Sequence, residues 1–301
     1  MQDVLENYST EARNEASFDI DRKSALEIAA IINSEDKKVP LAVERALPEI
    51  AALAEAIAAA LKKGGRLVYL GAGTSGRLGV LDASECPPTY GVDPGTVCAL
   101  IAGGAEALTN SVEAVEDDGG LGAAQLKEIN LCKNDILVGI TASGQAPYVL
   151  GALAYARSVG AVTAAISCNQ NAKTFTLAAH RLFLDVGPEV VTGSTRMKAG
   201  TAQKLVLNML STIAMIRTGK VYKNLMVDLK PVNQKLITRA IRIVKEATGC
   251  SREEAEHTFE LAGRQSKSAI VMIRLGVSRE KAETLLEESA GCLAGIPGID
   301  A

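Results

Sequence analysis

Three short segments rich in glycine and hydroxyl residues are the parts of this sequence best suited to hold a ligand. They are residues 71–77, 141–147 and 192–198. Each leads into a helical pattern, so we expect free backbone amides at the positive end of a helix dipole, which together favour an anion. A single segment of this kind is often a turn that only caps a helix. Three of them predict a phosphorylated ligand.

The first segment also satisfies the G-x-G-x-x-G pattern of dinucleotide-binding folds, through Gly71, Gly73 and Gly76. Such a site requires an acidic residue at the end of the second strand, where it binds the ribose hydroxyls. The corresponding run, residues 97–101, is followed by alanine and two glycines and no acid. A dinucleotide cofactor is therefore not favoured, and a Walker A motif is absent from the sequence as well.

Two acidic segments are candidates for proton transfer. Glu85 lies among small and apolar residues just before Pro87 and Pro88. A carboxyl group in an apolar setting tends to have a raised pKa, which suits a general acid. Residues 113–119 contain four acidic side chains, Glu116 among them. By themselves these four are typical of a solvated helix end.

Histidine and cysteine chemistry has little support in this sequence. The two histidines are His180, which precedes a strand-like run, and His257, and the six cysteines form no CxxC pair. A histidine-rich metal site is therefore excluded, and no G-x-S-x-G elbow accompanies either histidine. We expect catalysis by carboxylates, hydroxyls, lysines and backbone groups, without a metal or another cofactor.

The elements that must position these groups form an alternating pattern in the middle of the chain. Short apolar runs alternate with helical stretches and are nearly continuous in hydrophobicity, as strands buried on both faces are. This pattern predicts βαβ units and a parallel sheet, with ligands beyond the carboxyl ends of the strands. The five runs are residues 67–70, 97–101, 136–140, 162–167 and 182–186.

Helical patterns precede and follow this alternating region. They predict one long helix over residues 40–63, another over 197–218, and four short helices near the C-terminus, over 234–248, 253–262, 266–275 and 279–288. We therefore expect three parts. Residues 1–63 form an N-terminal segment with helices that pack on the central domain, residues 64–222 form the central α/β domain, and residues 223–301 form a small helical domain.

Composition and charge exclude several partners. The 301 residues carry a formal net charge of -3 and are 48% hydrophobic, which is typical of a soluble globular protein. A nearly balanced charge offers no bulk attraction for nucleic acid or an anionic membrane. No uncharged apolar stretch of about 18 residues exists, and the N-terminus lacks the pattern of a signal peptide. We expect a cytoplasmic protein without nucleic acid or membrane partners.

The longest distinctive blocks of the sequence resemble a known family. Residues 71–89, GAGTSGRLGVLDASECPPT, and 192–204, TGSTRMKAGTAQK, are similar to signatures of the N-acetylmuramic acid 6-phosphate etherases. Shorter similar blocks are residues 10–14, 19–21 and 224–228, so the resemblance covers nearly the whole chain. It implies a three-layer α/β sandwich of the sugar-isomerase (SIS) type over residues 64–222, a C-terminal helical domain, and a homodimer.

The resemblance also implies a reaction. The family cleaves the D-lactyl ether of N-acetylmuramic acid 6-phosphate in cell-wall amino-sugar recycling, by elimination of lactate and addition of water, giving N-acetylglucosamine 6-phosphate. By this resemblance Glu85 is the acid that protonates lactate, and Glu116 is the base at C2 of the sugar. Whether Gln145 contacts the phosphate stays open. The implied substrate-binding residues are Gly73, Thr74, Ser75, Thr141, Ser143, Gly144, Ser194 and Thr195.

Two other functions use the same fold, namely an aldose–ketose sugar-phosphate isomerase and a non-catalytic sugar-phosphate regulator. The block at residues 71–89 argues against the isomerase, and the acidic chain lacks the basic patch of a DNA-binding regulator.

The positions of the two glutamates raise a geometric question. In a regular helix Glu85 would lie about 13 Å along the axis from the first loop, and a similar displacement is expected for Glu116. Either these helices are broken or the site is shared between subunits, and we favour sharing. Residues 11–14 are expected to close the site or to pack on the neighbouring subunit, and Lys198 and Lys204 to be solvated helix charges.

Overall fold

The computed structural model describes residues 8–112 and 114–300, and a five-stranded sheet lies at its centre. All pairings are parallel and the strand order is β2-β1-β3-β4-β5. The parallel α/β fold predicted from the alternating pattern is therefore confirmed. The strands are β1 (Leu67–Gly71), β2 (Val97–Ile101), β3 (Ile136–Ile140), β4 (Val162–Ser167) and β5 (His180–Phe183).

The fifth strand differs from the prediction. It begins at His180 rather than at residue 182, so this histidine lies inside the strand instead of before it. Its register with β4 starts at the pair Ala164 and His180. Because β5 is an edge strand with a neighbour on one side only, its polar residues need not be buried on both faces. The apolar run alone therefore indicated the wrong start.

Eleven α-helices accompany the sheet within the described residues. The first seven are α1 (Ala25–Asp36), α2 (Lys38–Arg45), α3 (Leu47–Lys62), α4 (Gly73–Tyr90), α5 (Gly119–Glu128), α6 (Pro147–Ser158) and α7 (Lys198–Arg217). The last four, α8 (Gln234–Thr248), α9 (Arg252–Leu261), α10 (Ser266–Leu275) and α11 (Arg279–Glu288), confirm the four short helices predicted near the C-terminus.

The long helix expected over residues 40–63 is two helices instead. The chain leaves helical geometry at Ala46, and Pro48 occupies the first turn of α3. Proline has no amide hydrogen to donate to the preceding turn, but it is well suited to begin a helix. Its ring therefore ends one helix and starts the next, although the apolar pattern runs through both.

Helix α4, unlike α2, is not ended by the prolines in its sequence, Pro87 and Pro88. Both prolines lie inside the helix, which continues to Tyr90, and the amide of Gly91 still donates to the carbonyl of Pro87 at 3.0 Å. The helix is therefore continuous from the first loop through Glu85.

Helices cover both faces of the sheet. Helices α5 and α6 pack on the face that carries Val68 and Leu70. The opposite face of β1 carries Tyr69, because successive side chains of a strand alternate. The hydroxyl of Tyr69 lies 3.0 Å from Asp82 of α4 and 3.4 Å from the carbonyl oxygen of Leu207 in α7. These contacts connect β1 to α4 and α7, the helices that follow the first and the third loop.

The described residues form two compact units. One contains the residues up to Ser84 and those from Gly95 to Ser211, and it holds the whole sheet. The second contains Glu85–Pro94 and the residues from Thr212 onward, and its apolar core includes Phe259 and Ile270. The three-part division at residues 63 and 222 stays a prediction. No helix of the described ranges is long and apolar enough to cross a membrane.

Candidate active site

A cavity of about 220 Å³ lies in the first unit, beside the ends of strands β1 and β3. Its position agrees with the rule that open parallel sheets bind ligands beyond the carboxyl ends of their strands. All three glycine and hydroxyl loops contribute to it. The lining residues are Glu11, Ala72, Gly73, Thr74, Ser75, Glu116, Ile140, Thr141, Ala142, Ser143, Gly193 and Thr195.

Glycines bring the first loop close to the sheet. A Cβ atom on Gly76 would lie 2.5 Å from the carbonyl oxygen of Gly71, so the turn closes only without side chains there. Gly73 has a positive φ of 53° and open space beside it, at the start of α4. The buried hydroxyl of Ser75 lies 2.9 Å from Oε1 of Gln203. The loop is therefore held close to the sheet, and its small residues line the cavity.

The second loop is held by its own hydroxyl groups. Oγ of Thr141 and Oγ of Ser143 are 3.2 Å apart, and they accept from the amides of Gly144 and Gln145 at 3.3 and 3.2 Å respectively. Gly144 has a φ of 72°, and a Cβ atom there would lie 2.2 Å from Cβ of Ala172. Gly144 therefore packs against the protein beneath the loop, while Thr141 and Ser143 line the cavity.

The helix that follows the third loop holds a protein carboxylate at its N-terminus, where the sequence pattern alone favours a ligand anion. The carboxylate of Glu189 accepts from the amides of Lys198 and Ala199, at 3.0 and 2.9 Å. These first-turn amides of α7 are therefore already satisfied by a protein carboxylate. Thr195 lines the cavity, but Ser194 is not among the lining residues. Glu189 was missed because it lies outside the local capping pattern, nine residues before Lys198.

Lys198 is buried, contrary to the expectation of a solvated charge. Its ammonium group donates to Oε2 of Glu35 at 2.7 Å, and the same oxygen accepts from Nδ2 of Asn14 at 2.9 Å. Lys38 reaches the other oxygen of Glu35 at 2.6 Å. Burial opposes ionisation of Glu35, but these three donors lower its pKa to about 2. The pair fixes α7 to α1 and to the N-terminal segment.

The N-terminal segment is bound to the sheet edge of its own chain. Asn169 Nδ2 donates to Oγ1 of Thr10 at 3.0 Å, and Nδ2 of Asn14 also donates to the carbonyl oxygen of Pro188 at 3.1 Å. The hydroxyl of Ser17 donates to the carbonyl oxygen of Val190 at 2.8 Å. These contacts hold the segment where Glu11 lines the cavity. Of the two roles expected for residues 11–14, this arrangement favours closure of the site.

Glu116 lies in the loop before α5, not at a distance along a helix. Its backbone carbonyl accepts from the amide of Tyr148 at 3.0 Å, which ties the loop to the start of α6. A Cβ atom on Gly151 would lie 1.7 Å from the carbonyl oxygen of Gly119, so α5 and α6 approach closely only because of this glycine. The displacement expected for Glu116 was wrong, because the helix begins three residues later.

The carboxyl of Glu116 has a pKa above the ordinary value for a glutamate. Its pKa is raised, first because neighbouring protein atoms remove water from it and second because Asp117 is negatively charged. The side chain of Asp118 has a different environment, since it caps α5 by accepting from the amides of Gly120 and Leu121. The acidic segment therefore contains one carboxyl that lines the cavity and another that stabilises a helix.

A second cavity of about 380 Å³ adjoins the first and shares Glu11, Glu116 and Ser143 with it. It also contains Lys173 and Gln145. Both polar atoms of the Gln145 side chain are buried and without a hydrogen-bond partner in the described part of the chain. The lining of this cavity therefore combines a lysine with a glutamine whose amide has no partner among the described residues.

Glu85 does not line either cavity. It lies in α4 within the second compact unit, and its side chain is exposed. The broken helix considered as one route for this residue is not present, because α4 is continuous.

Two family models match parts of the chain. Residues 49–157 match the N-terminal SIS domain of glucokinase regulatory protein, and residues 223–263 match the C-terminal lid domain of the same protein. Among solved structures, a phosphoheptose isomerase from Francisella tularensis superposes with a TM-score of 0.51 at 20% identity. That match covers 64% of this chain and 100% of the isomerase, and it shows the shared fold.

Curated relatives are much more similar. The N-acetylmuramic acid 6-phosphate etherase of Aeromonas hydrophila is 57% identical over 290 residues, covering 96% of this chain and 97% of the relative. The etherase of the same name from Photobacterium profundum is 57% identical over 287 residues, covering 95% of each chain. The similarity therefore extends over both compact units.

Proposed function

Because the chain belongs to the family of N-acetylmuramic acid 6-phosphate etherases, we propose that it cleaves the D-lactyl ether of that sugar phosphate. The products are N-acetylglucosamine 6-phosphate and D-lactate, which makes the protein a carbon–oxygen lyase. The observation that carries the proposal is the cavity that brings Glu116 together with the hydroxyls of three loops. The protein would act in the cytoplasm, in recycling of cell-wall amino sugars.

The phosphate is assigned to the second loop. Thr141 and Ser143 present hydroxyls at the cavity, and their loop precedes the N-terminus of α6, where the helix dipole favours an anion. Gly144 supports this loop from beneath. Ser75 and Thr74 of the first loop, with Gly73, would contact the sugar, and Thr195 would complete the wall. Ser194 is assigned only a supporting position in the third loop.

The chemistry follows from the substrate and a carboxylate pair. In the open-chain sugar, the ether oxygen is bonded to C3, which is the carbon β to the C1 aldehyde. Removal of the C2 proton therefore permits elimination of that oxygen. Glu116 takes that proton as general base, the C3–O bond breaks, and lactate departs with a proton from Glu85. Water then adds to C3 of the unsaturated aldehyde and gives a proton to Glu85, and Glu116, after its proton has exchanged with solvent, protonates C2. No step requires a metal, and the reaction is general acid–base catalysis.

Glu85 is assigned to the neighbouring subunit of a homodimer. Helix α4 is continuous and the Glu85 side chain is exposed, which leaves it free to reach across a subunit interface. Glu116 acts within its own chain, since it lines the cavity with the loops. Each active site would thus combine loops and a base from one subunit with an acid from the other.

The first test is D-lactate release from N-acetylmuramic acid 6-phosphate, with chelator present, in D₂O and separately in ¹⁸O-labelled water. We expect deuterium at C2 and ¹⁸O at C3 of the sugar product, with no ¹⁸O in the lactate. Label in the lactate would indicate displacement at the lactyl carbon and would contradict elimination. Deuterium at C2 without lactate would instead support the sugar-phosphate isomerase. Binding without either product would support the non-catalytic regulator.

A further inference from the structure

Another cavity, with basic lining, lies in the C-terminal compact unit at the N-terminus of α10. It encloses about 440 Å³, and all its lining residues belong to that unit. We call it the α10 cavity. None of its residues takes part in the proposed etherase chemistry, so an assignment of a ligand to this cavity does not rest on that function. Its charged members are Lys220, Asp228, Lys230, Arg264 and Lys267.

The charges of the α10 cavity do not balance. Oδ2 of Asp228 lies 2.7 Å from Nζ of Lys267 and 3.0 Å from Nζ of Lys220, so two ammonium groups share one carboxylate oxygen. The other two cations have carboxylates of their own, Arg264 with Glu260 and Lys230 with Asp93. One positive charge is therefore left in excess.

The excess positive charge is energetically unfavourable because one of the two ammonium groups is buried. Lys267 is only 9% exposed. Burial lowers the pKa of its ammonium group, and Asp228 opposes this only in part. An additional anion beside Lys267 would relieve the cost, because opposite charges in a poorly hydrated site attract more strongly than in water.

The helix end adds donors that the protein itself does not use. Gln265, the N-cap of α10, makes no side-chain cap hydrogen bond. The first amides of the helix, at Ser266 and Lys267, therefore have no capping side chain. Ser266 is only 4% exposed, and its hydroxyl has no hydrogen-bond partner among the described residues. Ser266 lines the α10 cavity, so its hydroxyl is available to a ligand that enters there.

We propose that the α10 cavity binds a phosphoryl group, as inorganic phosphate or as the phosphate of a small metabolite. The lining of this one cavity contains two ammonium groups, the hydroxyl of Ser266 and the first residues of α10. A tetrahedral dianion with three acceptor oxygens matches this donor set better than a planar carboxylate does, and helix N-termini commonly bind phosphate.

The test is titration of the full-length ¹⁵N-labelled protein with inorganic phosphate at constant ionic strength, followed by the backbone amides of each residue. We expect saturable shifts at Ser266 and Lys267, separate from any shifts in the loop at residues 141–147. Phosphate that binds only to the loop would leave residues 266 and 267 unchanged, and this outcome would overturn the proposal. Equal shifts with acetate would overturn the assignment to a phosphoryl group.

Two substitutions with opposite expected effects on phosphate affinity make the test specific. Lys267→Met removes a charged donor and should weaken phosphate binding about tenfold. Asp228→Asn removes the competing carboxylate and should tighten it. The matched control is Lys281→Met, which removes an exposed lysine of α11 that does not line the cavity. If both cavity variants change affinity in the same direction, a structural effect explains them and the proposal fails. Ser266→Ala, with an expected weaker loss, replaces Lys267→Met if that variant does not fold.

Discussion

The carboxyl of Glu116 has an exposed face at the cavity and a pKa raised by its surroundings. A base must be deprotonated to act, so a raised pKa moves the acid limb of the activity profile to higher pH than an ordinary glutamate would give. Asp117 contributes through its negative charge. We therefore expect Asp117→Asn to shift the acid limb of kcat/KM to lower pH.

Glu116→Gln should lower kcat by at least about a hundredfold, because it keeps the shape of the side chain but cannot accept the proton.

The measurement for Asp117→Asn is the pH profile of lactate release, compared with that of the wild type. Glu128→Gln is its matched control, since it removes a negative charge at the far end of α5. An unchanged acid limb in Asp117→Asn, or a shift of the same size in Glu128→Gln, would contradict the role of Asp117.

At the scale of elements, the pair of Lys198 and Glu35 joins α7 to α1 and to the N-terminal segment. The pKa of Glu35 in the folded chain is about 2, below its ordinary value of 4.5. An unfolded chain then binds more protons than the folded one between these two values, so stability falls as pH falls from about 4.5 to about 2.

Glu35→Gln should remove that part of the acid sensitivity and lower stability at neutral pH by ~3 kcal/mol or more, because Lys198 is left buried and unpaired. Urea unfolding at a series of pH values between 7 and 2 measures both effects. Lys38→Met is the control, since Lys38 pairs with the same carboxylate but is 59% exposed. A Glu35→Gln protein that loses stability with acid as steeply as the wild type would refute this account.

At the scale of the whole molecule, the assignment of Glu85 to a neighbouring subunit predicts complementation. Dimers that combine one Glu85→Ala subunit with one Ser143→Ala subunit should contain one intact site and show about half of the wild-type activity. Each variant alone should be nearly inactive. If the mixed dimers, purified through two different tags, are as inactive as the parents, Glu85 acts within its own chain or not at all.

Much of the fold could be predicted because it depends on short-range pattern. The runs of residues 97–101, 136–140 and 162–167 became strands with the predicted bounds, and the helices Gln234–Thr248 and Ser266–Leu275 began and ended as expected. Apolar periodicity and turn residues act over a few positions, so the sequence carries this information directly. The hydroxyl loops at the strand ends were found in the same way.

Only the tertiary structure decided which polar groups meet. Glu35 and Lys198 are 163 positions apart in sequence, and Ser75 and Gln203 are 128 apart. No local pattern distinguishes a buried lysine from a solvated one, or shows that Glu189 occupies the helix end after the third loop. Such contacts form because packing of the sheet and helices removes these groups from water, and each must then find a partner. The sequence by itself determined the family, the strands and the loops, while their packing determined that Glu116 lines the cavity.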